Sequence, residues 1–361
     1  MPRRDRTQPA VAELLKEKVR QKTVRVLVTG GLGYIGSHTV VELLLSKHKV
    51  LIIDNLENSK TEVLGAISSI ANDCPEFRRV DIRAARDVDH VIGKFKPEAV
   101  IHFAAKKNPQ ASLDYPIDYY ETNVTGTVNL VRSMMNCGVR KLVFSSSAAV
   151  YGNPEFVPVR EDHRTNPITP YARTKEIAEH FISDVFTAAA GNSACILRYF
   201  NPVASHPSGV FHPHHPHGAP NLFPSLIRAA YAENEELFIH GTNFPTQDGT
   251  GVRDYIHVCD LALGHVAALR YAISHLGAEI FNLGTGKGYS VRHVIREFEN
   301  TIGRGVATVD GPPRPGDPFS SFSNTDKAEA SLNWKAGYGL RQMLIDEWKA
   351  LRVADDTTVD R

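Results

Sequence analysis

Short apolar runs alternate with longer helical patterns from Val24 to Arg198. The runs Val24 to Thr29, Val50 to Ile53, Phe77 to Val80, Ala99 to Phe103, Lys141 to Ser145 and Ala194 to Arg198 read as buried strands. Between them, Tyr34 to Leu45, Ile117 to Met135 and Pro170 to Phe186 read as helices. Strands alternating with helices build a parallel sheet covered on both faces, so an α/β fold with a doubly wound parallel Rossmann sheet is expected. After about Asn201 the pattern breaks. Val203 to Pro224 is rich in Pro, His and Gly, which is loop composition. Beyond it, helices are predicted near Leu222 to Ala232, Val258 to Tyr271, Val291 to Thr301 and Arg341 to Leu351, with a strand at Ile280 to Leu283. The expected layout is an N-terminal extension over residues 1–22, helical from Val11 to Arg20, and a Rossmann domain over 23–200. A smaller C-terminal α/β domain follows over 201–352, with segments returning to the sheet, and then a disordered tail over 353–361.

Composition narrows the class without naming a chemistry. The 361 residues are 42% hydrophobic and 22% charged, ordinary for a globular protein with a real core. A net charge of +1 gives no bulk attraction for nucleic acid, so an anionic ligand needs a local basic site. No apolar run reaches the length of a membrane span. Cys74, Cys137, Cys195 and Cys259 follow no metal or disulfide spacing, which fits idle thiols in a reducing compartment; the cytoplasm is the expected location. His212, His214, His215 and His217 alternate with prolines and gain no nearby cysteine or carboxylate, so a solvated loop is expected rather than a metal site.

Candidate chemistry begins at Gly30, Gly33 and Gly36, spaced G-x-x-G-x-x-G between a predicted strand and a predicted helix. Glycine permits the tight turn and lets the backbone approach a pyrophosphate, and the helix N-terminus offers unpaired N–H groups and a positive dipole end. Asp54 ends the second strand, where a carboxylate binds both ribose hydroxyls and repels a 2′-phosphate. NAD is therefore expected over NADP. The bland alternative is a tight turn with a surface aspartate.

Tyr171 and Lys175 stand four residues apart on the predicted helix Pro170 to Phe186, so they share one face. A phenol beside an ammonium has its pKa pulled down and becomes a usable base. Ser147 follows a predicted strand at the carboxyl edge, where sheets of this kind bind ligands. Serine can bond a substrate oxygen while tyrosine takes its proton and lysine holds the phenolate. Taken alone, a Y-x-x-x-K spacing more often marks an exposed helix face.

Several stretches carry a family resemblance: Val28 to Thr39 (VTGGLGYIGSHT), Asp54 to Lys60 (DNLENSK), Phe144 to Gly152 (FSSSAAVYG), Arg198 to Val203 (RYFNPV), His206 to Gly209 (HPSG) and Asp248 to Val258 (DGTGVRDYIHV). On these the chain resembles the extended short-chain dehydrogenases/reductases, and among them the UDP-glucose (UDP-galactose) 4-epimerases, from about Arg25 to Trp348. The resemblance implies a catalytic trio of Ser147, Tyr171 and Lys175. It implies NAD contacts from Tyr34, Ile35, Asp54, Asn55, Leu56, Glu57, Asn58, Ser59, Asp81, Ile82, Phe103, Ala104, Ala105, Lys107, Asn123 and Phe200. It places the uridine diphosphate against Asn201, Asn221, Arg253, Arg314 and Asp317, with Ser321 beside the sugar. It also implies a homodimer through Ile117 to Met135 and Pro170 to Phe186, and a UDP-sugar as the small-molecule partner.

The implied reaction is NAD-dependent 4-epimerisation of a UDP-hexose through a transient 4-keto sugar, with UDP-N-acetylhexosamines as further substrates. Departures from the family pattern gather near the sugar: Ala149 replaces the usual threonine, and Asn108 to Ser112 and Val210 to Gly218 differ. The alternatives are a related sugar-nucleotide epimerase, a 4,6-dehydratase or decarboxylase, and a catalytically silent NAD-binding regulator. Ala148 and Ala149 after Ser147 supply no acid for an elimination.

Overall fold

The computed structural model describes residues 23–188, 190–211, 221–232, 235–314 and 316–359, with side chains described to residue 352. Strands β1 (Arg25–Thr29), β2 (Lys49–Asp54), β3 (Glu76–Arg79), β4 (Ala99–His102), β5 (Lys141–Ser145) and β6 (Ser193–Tyr199) form one sheet. Further along lie β7 (Asn201–Val203), β8 (Leu237–His240), β9 (Val252–Arg253), β10 (Tyr255–His257) and β11 (Gly277–Leu283). β11 returns to the sheet and pairs with β6, giving seven strands in the order β11-β6-β5-β4-β1-β2-β3. Every pairing in it is parallel. The expected doubly wound Rossmann sheet is thus present, with β11 added to its edge.

The two faces follow from alternation along single strands, because successive side chains point to opposite sides. Val26, Val28, Val50, Ile52 and Ile101 pack on the side of helices Tyr34–Leu45 and Val258–Ser274. Leu27, Leu51, Ile53, Val100, Leu142 and Phe144 pack on the side of helices Ala85–Phe95, Gly126–Asn136 and Pro170–Ala188. The strand order reverses between β1 and β4, so the loops after these two strands diverge and open a crevice at the carboxyl edge.

A smaller α/β unit carries its own core, in which Phe223, Leu226, Leu237, Ile239, Tyr255, Val294, Phe298, Met343 and Leu344 are buried together. Here β8 pairs with β13 (Thr308–Gly311), and β9 lies between β12 (Tyr289–Ser290) and β14 (Ser320–Ser321). No described helix is long and apolar enough to cross a membrane.

Two expected elements differ. The helix Ile117 to Met135 is observed as Pro116–Tyr120, a π-turn Glu121–Thr125 and Gly126–Asn136. The widened turn directs Asn123 inward, a feature that hydrophobic spacing does not encode. The last helix runs Leu340–Val359, into the stretch expected to be disordered, because no Gly or Pro from Arg352 to Val359 stops it. The helix expected over Val11 to Arg20 and the histidines 212–217 lie outside the described residues.

Candidate functional site

Gly30 takes φ +67°, and a Cβ there would fall 2.7 Å from the Ala104 nitrogen. A Cβ on Gly36 would fall 2.3 Å from the Gly30 oxygen. These two glycines therefore let the first turn of helix Tyr34–Leu45 close onto its own loop and onto the chain leaving β4. Gly33 is the N-cap and brings no side chain to the helix end, which leaves that end open for an anion.

Asp54 is buried at the end of β2. It accepts from Leu32 N at 3.2 Å, Leu56 N at 2.9 Å and Ser59 Oγ at 2.9 Å, which fixes it beside the glycine loop. A carboxylate accepts about four such bonds, so capacity for a ribose hydroxyl remains. The glycine turn, the uncapped helix end and the acid fit a dinucleotide.

Other expected cofactor residues surround the same edge. Asn55 Nδ2 donates to Asp81 Oδ2 at 2.9 Å, and the Arg83 guanidinium holds the Asp81 carboxyl well below the usual range. Ile82 is buried under Gly126, and the Phe103 ring lies tilted against His265, 4.6 Å between ring centroids. Glu57 is paired with Lys106, joining the loops that follow β2 and β4. Burial lowers the Lys107 ammonium, which lies 5.7 Å from the centre of the Tyr34 ring. The Tyr34 hydroxyl donates to the Ala204 oxygen, so this residue also ties the glycine loop to the smaller unit. Asn123 accepts from Lys106 N at 2.8 Å and donates to Lys106 O and Thr174 Oγ1, each at 3.0 Å. It thereby fastens the loop after β4 to the helix bearing Tyr171. Phe200 is buried with Val150, Tyr151 and Val159.

Thr169 starts that helix: its Oγ1 accepts from Ala172 N at 3.3 Å, and Pro170 takes the first position, where no N–H is needed. The buried stripe includes Tyr171, Lys175 and Glu179, three successive polar residues at i, i+4 and i+8. The Ser147 hydroxyl, which accepts from Ala149 N at 3.2 Å, acts on the Tyr171 phenol and favours its ionised form. Lys175 Nζ donates to the Ser145 oxygen at 2.7 Å.

This corrects one expectation. The ammonium was expected to lower the phenol's pKa, but burial dominates and raises it, and the opposing effect comes from Ser147. Burial also lowers Lys175 to about 8, with the Glu179 carboxylate acting the other way. Hydrophobic and motif reading missed Glu179, which is buried and bidentately paired with Arg198 and accepts from Ser146 Oγ. Its i+4 spacing from Lys175 was the available signal.

At the other end, Arg253 on β9 stands opposite Ser321 on β14. Burial lowers the Arg314 guanidinium, with Asp317 acting against that and Arg253 with it, so these three charged groups share one region. His240 and Tyr255 face the same group, and neither was singled out from the sequence. Asn201 donates from N and Nδ2 to the Asp254 oxygen, each at 3.0 Å. Asn221 is exposed and caps helix Leu222–Tyr231 through its backbone alone, standing apart from that cluster's contacts.

The family model for the NAD dependent epimerase/dehydratase family matches residues 26–284. The chain belongs to that family. It is an NAD-dependent epimerase, and so an isomerase. It is 45% identical over 325 residues to the UDP-glucose 4-epimerase of Bacillus subtilis (strain 168), covering 90% of this chain and 96% of that protein. The epimerase fold superposes on a UDP-glucose 4-epimerase from Stenotrophomonas maltophila, with bound NAD and formylated UDP-arabinopyranose, at TM-score 0.90 and 41% identity. That match covers 92% of this chain and 99% of the other. A second match, the UDP-glucose 4-epimerase of Bifidobacterium longum in complex with NAD+ and UDP, has TM-score 0.87 and 38% identity, covering 92% and 99%.

Proposed function

We propose that this epimerase interconverts UDP-glucose and UDP-galactose through a transient 4-keto sugar. The observation that carries the reading is the buried Tyr171 phenol beside the partly buried Ser147 hydroxyl at the carboxyl edge of the sheet, next to the dinucleotide crevice. Tyr171 removes the proton from the sugar 4-hydroxyl and later returns it. Ser147 bonds the same sugar oxygen and steadies the phenolate. Lys175 supplies a positive charge beneath them, held by the Ser145 carbonyl.

Bound NAD supplies reversible hydride acceptance at this site. Gly30, Gly33, Tyr34, Ile35 and Gly36 would hold its pyrophosphate, and Asp54 with residues 55–59 its adenosine ribose. Asp81 and Ile82 would border the adenine, and Phe103 to Lys107, Asn123 and Phe200 the nicotinamide half.

Between the two proton transfers the ketone must present its other face. Arg253, Arg314, Asp317, Asn201 and Asn221 hold the uridine diphosphate in this reading, while the sugar turns about its link to the diphosphate. Arginine suits that task because its planar donors meet phosphate oxygens two at a time. The small, buried Ser321 leaves space beside the sugar, which extends the proposed range to UDP-N-acetylhexosamines. We also place the protein in the cytoplasm as a homodimer, with Ile117 to Met135 and Pro170 to Phe186 of each copy forming the contact. Leu113, Tyr115, Ile117 and Ile177 expose apolar surface on or next to these segments.

The experiment is turnover of purified protein, with its bound NAD, on UDP-galactose, UDP-glucose, UDP-GlcNAc and UDP-GalNAc, read by chromatography. Conversion of the first pair is expected in both directions. Absence of any 4-epimer product from the hexoses would end the reading.

A further inference from the structure

Asp254 has no exposed surface and touches no space where a ligand could lie. Its Oδ1 accepts from Thr285 N at 2.9 Å and Thr285 Oγ1 at 2.6 Å. Its Oδ2 accepts from Gly286 N at 3.1 Å, Ser323 N at 3.1 Å and Ser323 Oγ at 2.6 Å. Main-chain N–H donors thus cover both oxygens and favour the ionised carboxylate, against the burial that pushes this carboxyl up. The main chain of the same residue is also engaged. Its nitrogen donates to the Ser321 oxygen at 3.1 Å, and its oxygen takes both Asn201 bonds. A Cβ on Gly284 would fall 2.4 Å from Oδ2 and 2.2 Å from Ser323 Oγ, so the cage is packed to its limit.

Four segments meet at this one residue: β7, through Asn201 on its main-chain oxygen, the chain between β9 and β10, and, on its carboxylate, the turn after β11 and the chain leaving β14. β11 belongs to the central sheet, whereas β9 and β14 carry Arg253 and Ser321. The carboxylate therefore couples the sheet to the two strands flanking the nucleotide sugar.

We infer that Asp254 is a positioning residue that fixes Arg253, at the diphosphate end, against Ser321, at the sugar end. The inference deepens the proposed function and rests on Arg253 and Ser321 lining that site. It answers a physical demand of the reaction: a sugar free to turn needs a nucleotide that does not move. Five donors on one buried carboxylate provide that stiffness without occupying the ligand space.

The test compares Ser323→Ala, Asp254→Asn and Arg253→Ala with the parent holoenzyme. UDP affinity is measured by calorimetry, KM and kcat on UDP-galactose by coupled assay, and bound NAD after denaturation. Ser323→Ala removes one donor hydroxyl and keeps the main-chain donor. It should weaken UDP binding and raise KM by about threefold to tenfold, with kcat within about twofold and NAD content unchanged. Asp254→Asn turns an acceptor into a donor facing N–H groups and should move the same two quantities by about tenfold or more. Ser323→Ala carries the test if the Asn variant fails to fold. Parental UDP affinity and KM in Ser323→Ala would overturn the inference. So would a KM rise matched by a parallel loss of NAD and thermal stability, because that signature is general loosening. Arg253→Ala with undiminished UDP affinity would remove the underlying reading of the site, and this inference with it.

Discussion

Lys175 is bonded through Nζ to the main-chain oxygen of Ser145 at 2.7 Å, so the buried ammonium is anchored to the end of β5 and not to the Tyr171 hydroxyl. In the proposed mechanism its charge acts on the site through space. Burial brings its pKa down to about 8, which puts its discharge inside the working range of an enzyme. Turnover on UDP-galactose should therefore fall as pH rises through about 8. Lys175→Arg keeps the charge at any accessible pH, so the pH–kcat profile of that variant should lose its alkaline limb even if its maximum is lower. An unchanged limb would assign it to another group.

The Ser147 hydroxyl opposes the effect of burial on the Tyr171 phenol. Removing that hydroxyl raises the phenol further, and less of it is ionised at any given pH. Ser147→Ala should move the acid limb of kcat to higher pH and lower kcat at neutral pH by about tenfold to a hundredfold. Tyr171→Phe should lose about a thousandfold while retaining bound NAD, since it removes the base and leaves the crevice intact. Rapid-quench turnover and NAD content separate these two effects.

Glu179 and Arg198 form a buried pair with side chains 4% and 6% exposed. Glu179→Gln leaves the guanidinium buried without its counter-charge, which costs about 3–5 kcal/mol in comparable sites. The expected result is a markedly lower midpoint in urea unfolding. The Glu179→Gln/Arg198→Met double variant should recover much of the loss, because neither charge then remains buried alone.

His102 bridges β4 to two threonines. Thr127 Oγ1 donates to the Asn123 oxygen, so it accepts from His102 Nε2, and His102 Nδ1 accepts from Thr29 Oγ1 at 2.6 Å. The neutral ring is fully satisfied, and burial lowers its pKa from 6.5 to about 3. A folded pKa below the unfolded one contributes stability that is complete above 6.5 and is lost as pH falls towards about 3. Within that window one such group loses about 1.4 kcal/mol per pH unit. His102→Asn should be less stable than the parent at pH 7 but lose less on acidification; equal slopes in unfolding measurements from pH 7 to pH 4 would refute the assignment.

Much of this architecture was readable from one chain. Val26, Val28 and Leu27 already declare a strand buried on both faces, and Gly30, Gly33 and Gly36 after it declare a dinucleotide turn. Helix Tyr34–Leu45 was found with its observed ends because a glycine N-cap and an apolar run are local signals. Tyr171 and Lys175 share a helix face as their spacing requires. The π-turn at Glu121–Thr125 was not readable, because its cause is the packing of Asn123 against Lys106 and Thr174. Glu179, His102 and Asp254 went unnoticed for a related reason: each is defined by partners distant in sequence.

The order of residues determined the periodicities, the glycine turn, the acid closing β2 and the phenol–ammonium spacing, since all of these are set by backbone geometry over a few residues. Only the folded chain decided the electrostatics. Burial outweighs the expected cation at Tyr171, a main-chain carbonyl takes the Lys175 ammonium, and Asp254 gathers four segments through its carboxylate and its main chain. Desolvation and hydrogen bonding depend on what surrounds a group in space, and that environment exists only once distant parts of the chain have met.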